Sequence, residues 1–121
     1  VAELYPNKKV LLVFQPHLFS RTKDFVADFA RSLSRFDALR LLDIYPAREL
    51  PIPGVTSDWL LEKVQLADKK GVSKEAVIQE IATSDASVVI MLGAGDIGVL
   101  ANQVQQHFLS VKKKSIKKVQ R

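Results

Sequence analysis

Two short, uninterrupted apolar runs place the strongest constraint on the fold. They lie within KKVLLVF, from Lys8 to Phe14 and between Pro6 and Pro16, and within ASVVIML, from Ala86 to Leu92. Neither run alternates apolar with polar residues, so each is typical of a β-strand covered on both faces. Such strands occur in parallel sheets whose connections run through helices, which predicts an α/β fold.

Helical periodicity fills most of the remaining chain. One helix is predicted across SRTKDFVADFARSLSRF, with Ser20 or Thr22 as its N-cap. Its apolar stripe would be Phe25, Val26, Phe29, Ala30 and Leu33. The other predicted elements are a strand at Ala38 to Tyr45, a helix from about Ser57, a weak strand near Lys70 to Val72, a helix capped by Ser73, and a last helix with Ile97, Leu100, Ala101 and Val104 inward. This order predicts a single domain with an open, mainly parallel, Rossmann-like sheet and helices on both faces.

Composition limits the number of domains, the cysteine chemistry and the location that are expected for this chain. The 121 residues, 47% of them hydrophobic, suffice for one core and are too few for two. With no cysteine the chain has neither disulfides nor a thiolate metal site. Its longest apolar runs, Val10 to Phe14 and the equally long Val88 to Leu92, are too short to span a bilayer. A cytoplasmic location is expected.

The net charge of +5 comes from one end of the chain. Six of the last ten residues are Lys or Arg, and without them 12 basic residues face 13 acidic ones. Residues 111–121 are therefore expected to be a frayed basic tail on a domain formed by residues 1–110. No aromatic residue that could stack on a base follows Phe108, which makes a nucleic-acid-binding arm the less favoured interpretation.

A glycine-rich turn, GAGDIG, follows the second buried run. Gly93, Gly95 and Gly98 have the spacing of a dinucleotide-binding fingerprint. That motif needs a further strand ending in an acid about 20 residues on, and no acid occurs after Asp96. An NAD site is therefore excluded. Two interpretations stay open: a turn that lets the helix pack closely with Asp96 as N-cap, or backbone N–H groups that face an anion.

Ligands of open parallel sheets bind at the carboxyl ends of the strands. Three unusual segments follow predicted strands, and the candidate residues that they bring to this edge are His17, Arg21, Asp43, Arg48, Gly93, Gly95 and Asp96. His17 and Arg21 suit a carboxylate, because Arg binds it in a fork and His adds a hydrogen bond or a proton relay. A capping or core histidine is the alternative for His17. Asp43 could hold a hydroxyl group or order Arg21, although structural roles are favoured for its proline-rich loop.

Three segments together carry a resemblance to a known family. FQPHLFSRTKDF, LDIYPARELPIPGVTS and GAGDIG, in this order and spacing, closely resemble the C-terminal domain of the Mur ligases of peptidoglycan synthesis, in the branch that adds L-alanine. The resemblance runs from about Asn7 to Phe108. It implies a three-domain enzyme that uses UDP-N-acetylmuramate, L-alanine, ATP and Mg²⁺, with ATP and Mg²⁺ bound mainly by the central domain. The chain opens on VAELYPNKK without Met, so a piece lacking the N-terminal and central domains is expected, and it should be inactive alone.

The resemblance also implies residue roles. His17 and Arg21 would contact the carboxylate of L-alanine, and the glycine motif would shape the edge of the sheet without contacting ATP. Many relatives have Arg after the motif His, whereas this chain has Leu18, so one expected carboxylate contact is absent. The alternatives are a stand-alone module that binds nucleotide or nucleic acid through the basic tail, and a purely structural interaction domain.

Overall fold

The fold was determined from a computed structural model, which describes residues 9–45, 48–93, 100, 102–104 and 115–120. The strands are β1 (Val10–Gln15), β2 (Ala38–Leu41), β3 (Lys69–Gly71), β4 (Val88–Gly93) and β5 (Ser115–Gln120). The helices are α1 (Phe19–Asp24), α2 (Val26–Leu33), α3 (Ser57–Lys63) and α4 (Val77–Thr83), the last preceded by a 3₁₀ turn over Lys74–Ala76. Residues 100 and 102–104 are also helical.

The five strands form one sheet in the order β3-β2-β1-β4-β5, and every neighbouring pair is parallel. Leu12 of β1 lies opposite Leu39 of β2 on one side and Ile90 of β4 on the other. Along the sequence, β2 and β3 are added on one side of β1, and β4 and β5 are then added on its other side. The direction therefore switches between β1 and β4, which is where such sheets bind ligands. The predicted open parallel α/β sheet is confirmed.

The two faces of β1 belong to separate cores, because successive strand side chains point to opposite sides. Leu11 and Val13 pack in a cluster with residues of α4, and Leu12 and Phe14 pack in a cluster with residues of α2 and α3. All six residues of β1 are buried, as its unbroken apolar pattern predicts. Helices on both faces are likewise confirmed. Among the described residues, no helix combines the length and the apolar character that crossing a bilayer requires.

The first predicted helix is two helices that meet at Phe25. This residue has φ −116° and is at once the C-cap of α1 and the N-cap of α2. The sequence pattern placed Phe25 in the buried apolar stripe. Its side chain is instead 51% exposed. The spacing of apolar residues indicates which face of a helix is buried. It gives no signal of a kink that leaves the same face buried. The caps predicted for this helix are wrong, since Leu18 is the N-cap of α1 without a side-chain bond. Ser73 does lie at the N-cap position of the 3₁₀ turn before α4, but its side chain makes no cap bond.

The prediction of a frayed tail is wrong for residues 115–120. They form β5, which pairs in parallel with the whole of β4 from Val88 to Gly93. Charge alone suggested a solvated end, but Ile116 and Val119 are residues with high strand propensity. Lysine is also a common residue on the edge strands of natural sheets, where it hinders pairing with another chain. A lysine-rich segment is therefore compatible with the outermost position in the sheet.

A charged network joins β2 to α4 and β3. Arg40 is only 12% exposed; its Nε donates to Glu80 at 2.9 Å and its Nη1 donates to Asp68 at 2.8 Å and to the Leu39 carbonyl at 2.9 Å. Lys70 donates to the other carboxylate oxygen of Glu80 at 3.0 Å. Lys70 first, and then Arg40, hold the pKa of Glu80 below its usual value. The network fixes the half of the sheet that lies away from the β1/β4 switch.

Candidate functional site

Three parallel strands bring the candidate segments to one edge. β1 ends at Gln15, β2 ends at Leu41 and β4 ends at Gly93, and because all three run the same way their ends share the carboxyl edge of the sheet. His17 follows β1 and Asp43 follows β2, so both lie at this edge. The predicted common edge is therefore confirmed for the described segments.

His17 is held by a short extension of the sheet beyond β1 and β2. It forms an isolated parallel bridge with Tyr45, in which the Tyr45 N–H donates to the Pro16 carbonyl and the Leu18 N–H donates to the Tyr45 carbonyl, both at 2.8 Å. The rings of His17 and Tyr45 stack with centroids 5.8 Å apart and planes 18° apart. The half-buried imidazole is thus fixed in position at the edge and keeps one part of its surface open.

Leu18 turns the chain from this bridge into α1. Its φ of 70° lies in the left-handed region, which costs a residue with a Cβ atom about 1–2 kcal/mol. Neighbouring bonds hold the turn in place: the Leu18 carbonyl accepts from the Thr22 N–H at 3.1 Å and from the Thr22 hydroxyl at 2.8 Å. Thr22 is fully buried. Rather than capping the helix as predicted, Thr22 stabilises the strained residue between His17 and α1.

Arg21 lies beside an apolar groove at the β1/β4 switch. The groove has a volume of about 450 Å³ and is lined by Phe14, Arg21, Phe25, Asp28, Phe29, Ser32, Leu33, Phe36 and Leu92. Phe14 and Leu92 face each other in the register of β1 and β4, one residue before these strands end. Within the part of the chain that the structure describes, Arg21 is exposed and forms no ion pair. Its guanidinium is available to an external anion.

Glu49, which the sequence did not single out, contacts the start of α1. Its carboxylate accepts from the Ser20 N–H at 3.1 Å and from the Ser20 hydroxyl group. The Ser20 hydroxyl, then the Ser20 N–H, keep the pKa of Glu49 below its usual value, with smaller contributions from the Phe19 N–H and from His17. An acid in a proline-rich loop gives no signal of a contact 29 residues away.

Asp43, Arg48 and Gly93 are the other predicted site residues that the structure describes. Asp43 is exposed and accepts from the buried Ser57 hydroxyl at 3.1 Å, so it joins the end of β2 to the start of α3. The hydroxyl group expected at Asp43 is thus one of the chain's own. Arg48 is an exposed turn residue. Gly93 is buried as the last residue of β4, while Gly95 and Asp96 lie outside the described residues.

The arrangement suits a small carboxylate with an apolar group. Arg21 supplies a fork of N–H donors, the held imidazole of His17 supplies one further donor or acceptor, and the groove supplies apolar surface. The structure places His17 against Tyr45 and Arg21, four residues later, against the groove. Their joint action on one ligand stays a prediction. No group of three potential metal ligands occurs among the described residues.

Comparison with known proteins adds an independent finding. No protein-family model matches the chain. The chain is 60% identical over 106 residues, 88% of its length, to the UDP-N-acetylmuramate–L-alanine ligase of Flavobacterium psychrophilum, and these residues are 24% of that protein. It is 58% identical over 90% of its length to the enzyme of the same name from Christiangramia forsetii, again 24% of that protein. Against the Parabacteroides distasonis enzyme, the identity is 50% over 88% of the chain and 23% of the relative.

The chain spans about a quarter of the length of the curated relatives that it matches. An identity of 50–60% along nearly the whole chain agrees with the resemblance of its three edge segments and with the parallel sheet. The chain belongs to the Mur ligase family and corresponds to the C-terminal domain of its UDP-N-acetylmuramate–L-alanine ligases.

Proposed function

We propose that the chain is the amino-acid-seating domain of an ATP-dependent ligase that joins L-alanine to UDP-N-acetylmuramate. The observation that carries this proposal is the 60% identity to a ligase of that name over 88% of the chain. The geometry supports it, because Arg21 lies beside a small apolar groove without an ion pair among the described residues, and His17 is held against Tyr45 at the carboxyl edge. The domain's contribution is to bind and orient one substrate rather than to make or break bonds itself.

In this proposal, Arg21 binds the carboxylate of L-alanine in a fork and His17 adds a hydrogen bond to the same group. The apolar groove beside Arg21 offers a surface for the methyl group. With the carboxylate held, the amine of L-alanine points away from this domain towards an activated carboxyl group of UDP-N-acetylmuramate. Fixing the two reactants in this way replaces a bimolecular encounter by an oriented one, which is a large source of rate enhancement.

ATP and Mg²⁺ would activate that carboxyl group by phosphorylation, and the parts of the ligase outside this chain would bind them. Two functions then fall to the residues of this chain: Arg21 and His17 orient the amino acid, and closure of the domain excludes water from the reacting groups. The isolated chain is therefore expected to be inactive as a ligase. A cytoplasmic location remains a proposal that follows from the soluble nucleotide-linked substrates.

The test is an assay of the full-length protein that contains this chain. Release of phosphate from ATP should require both UDP-N-acetylmuramate and L-alanine, and mass spectrometry should detect UDP-N-acetylmuramoyl-L-alanine. The isolated chain serves as the control and should give no product. Phosphate release that does not depend on L-alanine, or salt-sensitive binding of the isolated chain to polyanions with no ligase activity in the full-length protein, would contradict the proposal.

A further inference from the structure

We propose that Glu49 is a positioning residue for the amino-acid site: by binding Ser20, it fixes the first turn of α1 and with it Arg21. This inference rests on the proposed function. It assigns to the proline-rich loop after β2 a role in amino-acid affinity that does not require contact with the amino acid.

The contact lies between the two residues proposed to bind the carboxylate. Ser20 follows His17 by three positions and immediately precedes Arg21. Glu49 accepts from both the backbone N–H and the hydroxyl group of Ser20, and it is half-buried in doing so. Movement of Glu49 therefore acts on the backbone of the residue that immediately precedes Arg21.

The first turn of α1 receives no side-chain bond from its own N-cap residue, Leu18, so Glu49 supplies the bond to its N–H groups. The first N–H groups of any helix lack partners within the helix, and a side chain at the N-cap usually supplies one. Here the N-cap is Leu18, which has no such side chain, and α1 is only six residues long. The negative carboxylate of Glu49 takes over that function from 29 residues further along the chain, at the end of the helix that favours negative charge.

A second contact, made by Thr22, holds the same turn from within the helix. Thr22 binds the Leu18 carbonyl through its N–H and its hydroxyl, which holds the strained residue at φ 70°. Thr22 secures the turn from within α1, whereas Glu49 secures it from the loop. Loss of Glu49 leaves the Thr22 bonds and the core contacts of α2 in place and removes the contact that holds this turn to the loop.

The experiment measures steady-state kinetics of the full-length ligase with L-alanine and ATP varied separately. Glu49→Ala should raise the KM for L-alanine about fivefold, the size of effect expected for loss of a helix cap, with the KM for ATP and kcat within about twofold. Glu49→Gln should restore the KM to within about twofold of the original, because its amide oxygen accepts from the Ser20 N–H and its NH₂ group donates to the hydroxyl. Glu62→Ala, which removes an exposed carboxylate from α3, is the matched control and should change nothing.

A double-mutant cycle with Ser20→Ala separates positioning from direct contact. If Glu49 acts through Ser20, the double variant should be no worse than Glu49→Ala alone. Fully additive effects would show that Glu49 acts other than through Ser20 and would overturn the proposal. A Glu49→Gln variant as impaired as Glu49→Ala would overturn it as well, because the amide can keep both hydrogen bonds to Ser20. An unchanged KM in Glu49→Ala would overturn it too, and Arg21→Ala assayed in parallel shows whether the proposed site itself still stands. Ser20→Ala keeps the test decisive should Glu49→Ala fail to fold.

Discussion

In the full-length ligase, Arg21→Ala is expected to lower kcat/KM for L-alanine by at least about 100-fold, because hydrogen bonds to charged groups contribute about 1.5–3 kcal/mol and Arg21 would make two of them, together about 3 kcal/mol at the lower end of that range. His17→Ala should have a smaller effect, about tenfold, because it removes a single hydrogen bond. The KM for ATP should stay within about twofold for both variants, since ATP binds elsewhere in the proposal.

Steady-state kinetics with each substrate varied in turn provide the measurement. Arg35→Ala is the matched control, because Arg35 is exposed in the turn after α2 and remote from the carboxyl edge. That variant should behave as the unmodified enzyme does. Alanine kinetics that are equally unchanged in Arg21→Ala and Arg35→Ala would count against the role of Arg21.

The second large effect concerns the core. Leu12→Ala should lower the free energy of unfolding of the chain by about 4 kcal/mol, because it removes a fully buried side chain and leaves a cavity. Leu12 lies in the central strand, between Leu39 of β2 and Ile90 of β4, and in the cluster that also contains Leu60 of α3. Neighbours fixed by strand hydrogen bonds on both sides cannot move far enough to fill the space.

Urea unfolding of the 121-residue chain, followed by circular dichroism, measures this difference. Leu50→Ala is the control for loss of the same atoms from the surface, since Leu50 is 84% exposed, and it should change the free energy of unfolding by less than about 0.5 kcal/mol. A loss below about 1 kcal/mol for Leu12→Ala would contradict its place at the centre of the core.

The sequence predicted the parts of the fold that depend on local pattern. Unbroken apolar runs identified β1 and β4, and alternation of strands with helices predicted the parallel sheet and hence the shared edge of His17 and Asp43. Both inferences follow from periodicity, which depends only on residues that lie close together in the sequence. The weak strand signal near Lys70 also corresponds to β3.

Contacts between distant segments could not be predicted in the same way. Glu49 binds Ser20 across 29 residues, and Tyr45 stacks on His17 only because the two strand ends extend side by side. Composition was misleading at the C-terminal end, where the lysines suggested a solvated tail and the backbone instead completes the sheet as β5. Pairing with β4 decides the conformation there, and no local count of charges contains that information.

The most direct test of the amino-acid site removes the carboxylate from the substrate and the guanidinium from the protein in turn. The full-length ligase should use L-alaninamide about 100-fold less efficiently than L-alanine, since the amide lacks the charge that Arg21 would bind. In Arg21→Ala the preference for L-alanine should fall to within about threefold, because the partner of the carboxylate is gone. An undiminished 100-fold preference in Arg21→Ala would show that another group binds the carboxylate, and would contradict the role proposed for Arg21 at the carboxyl edge.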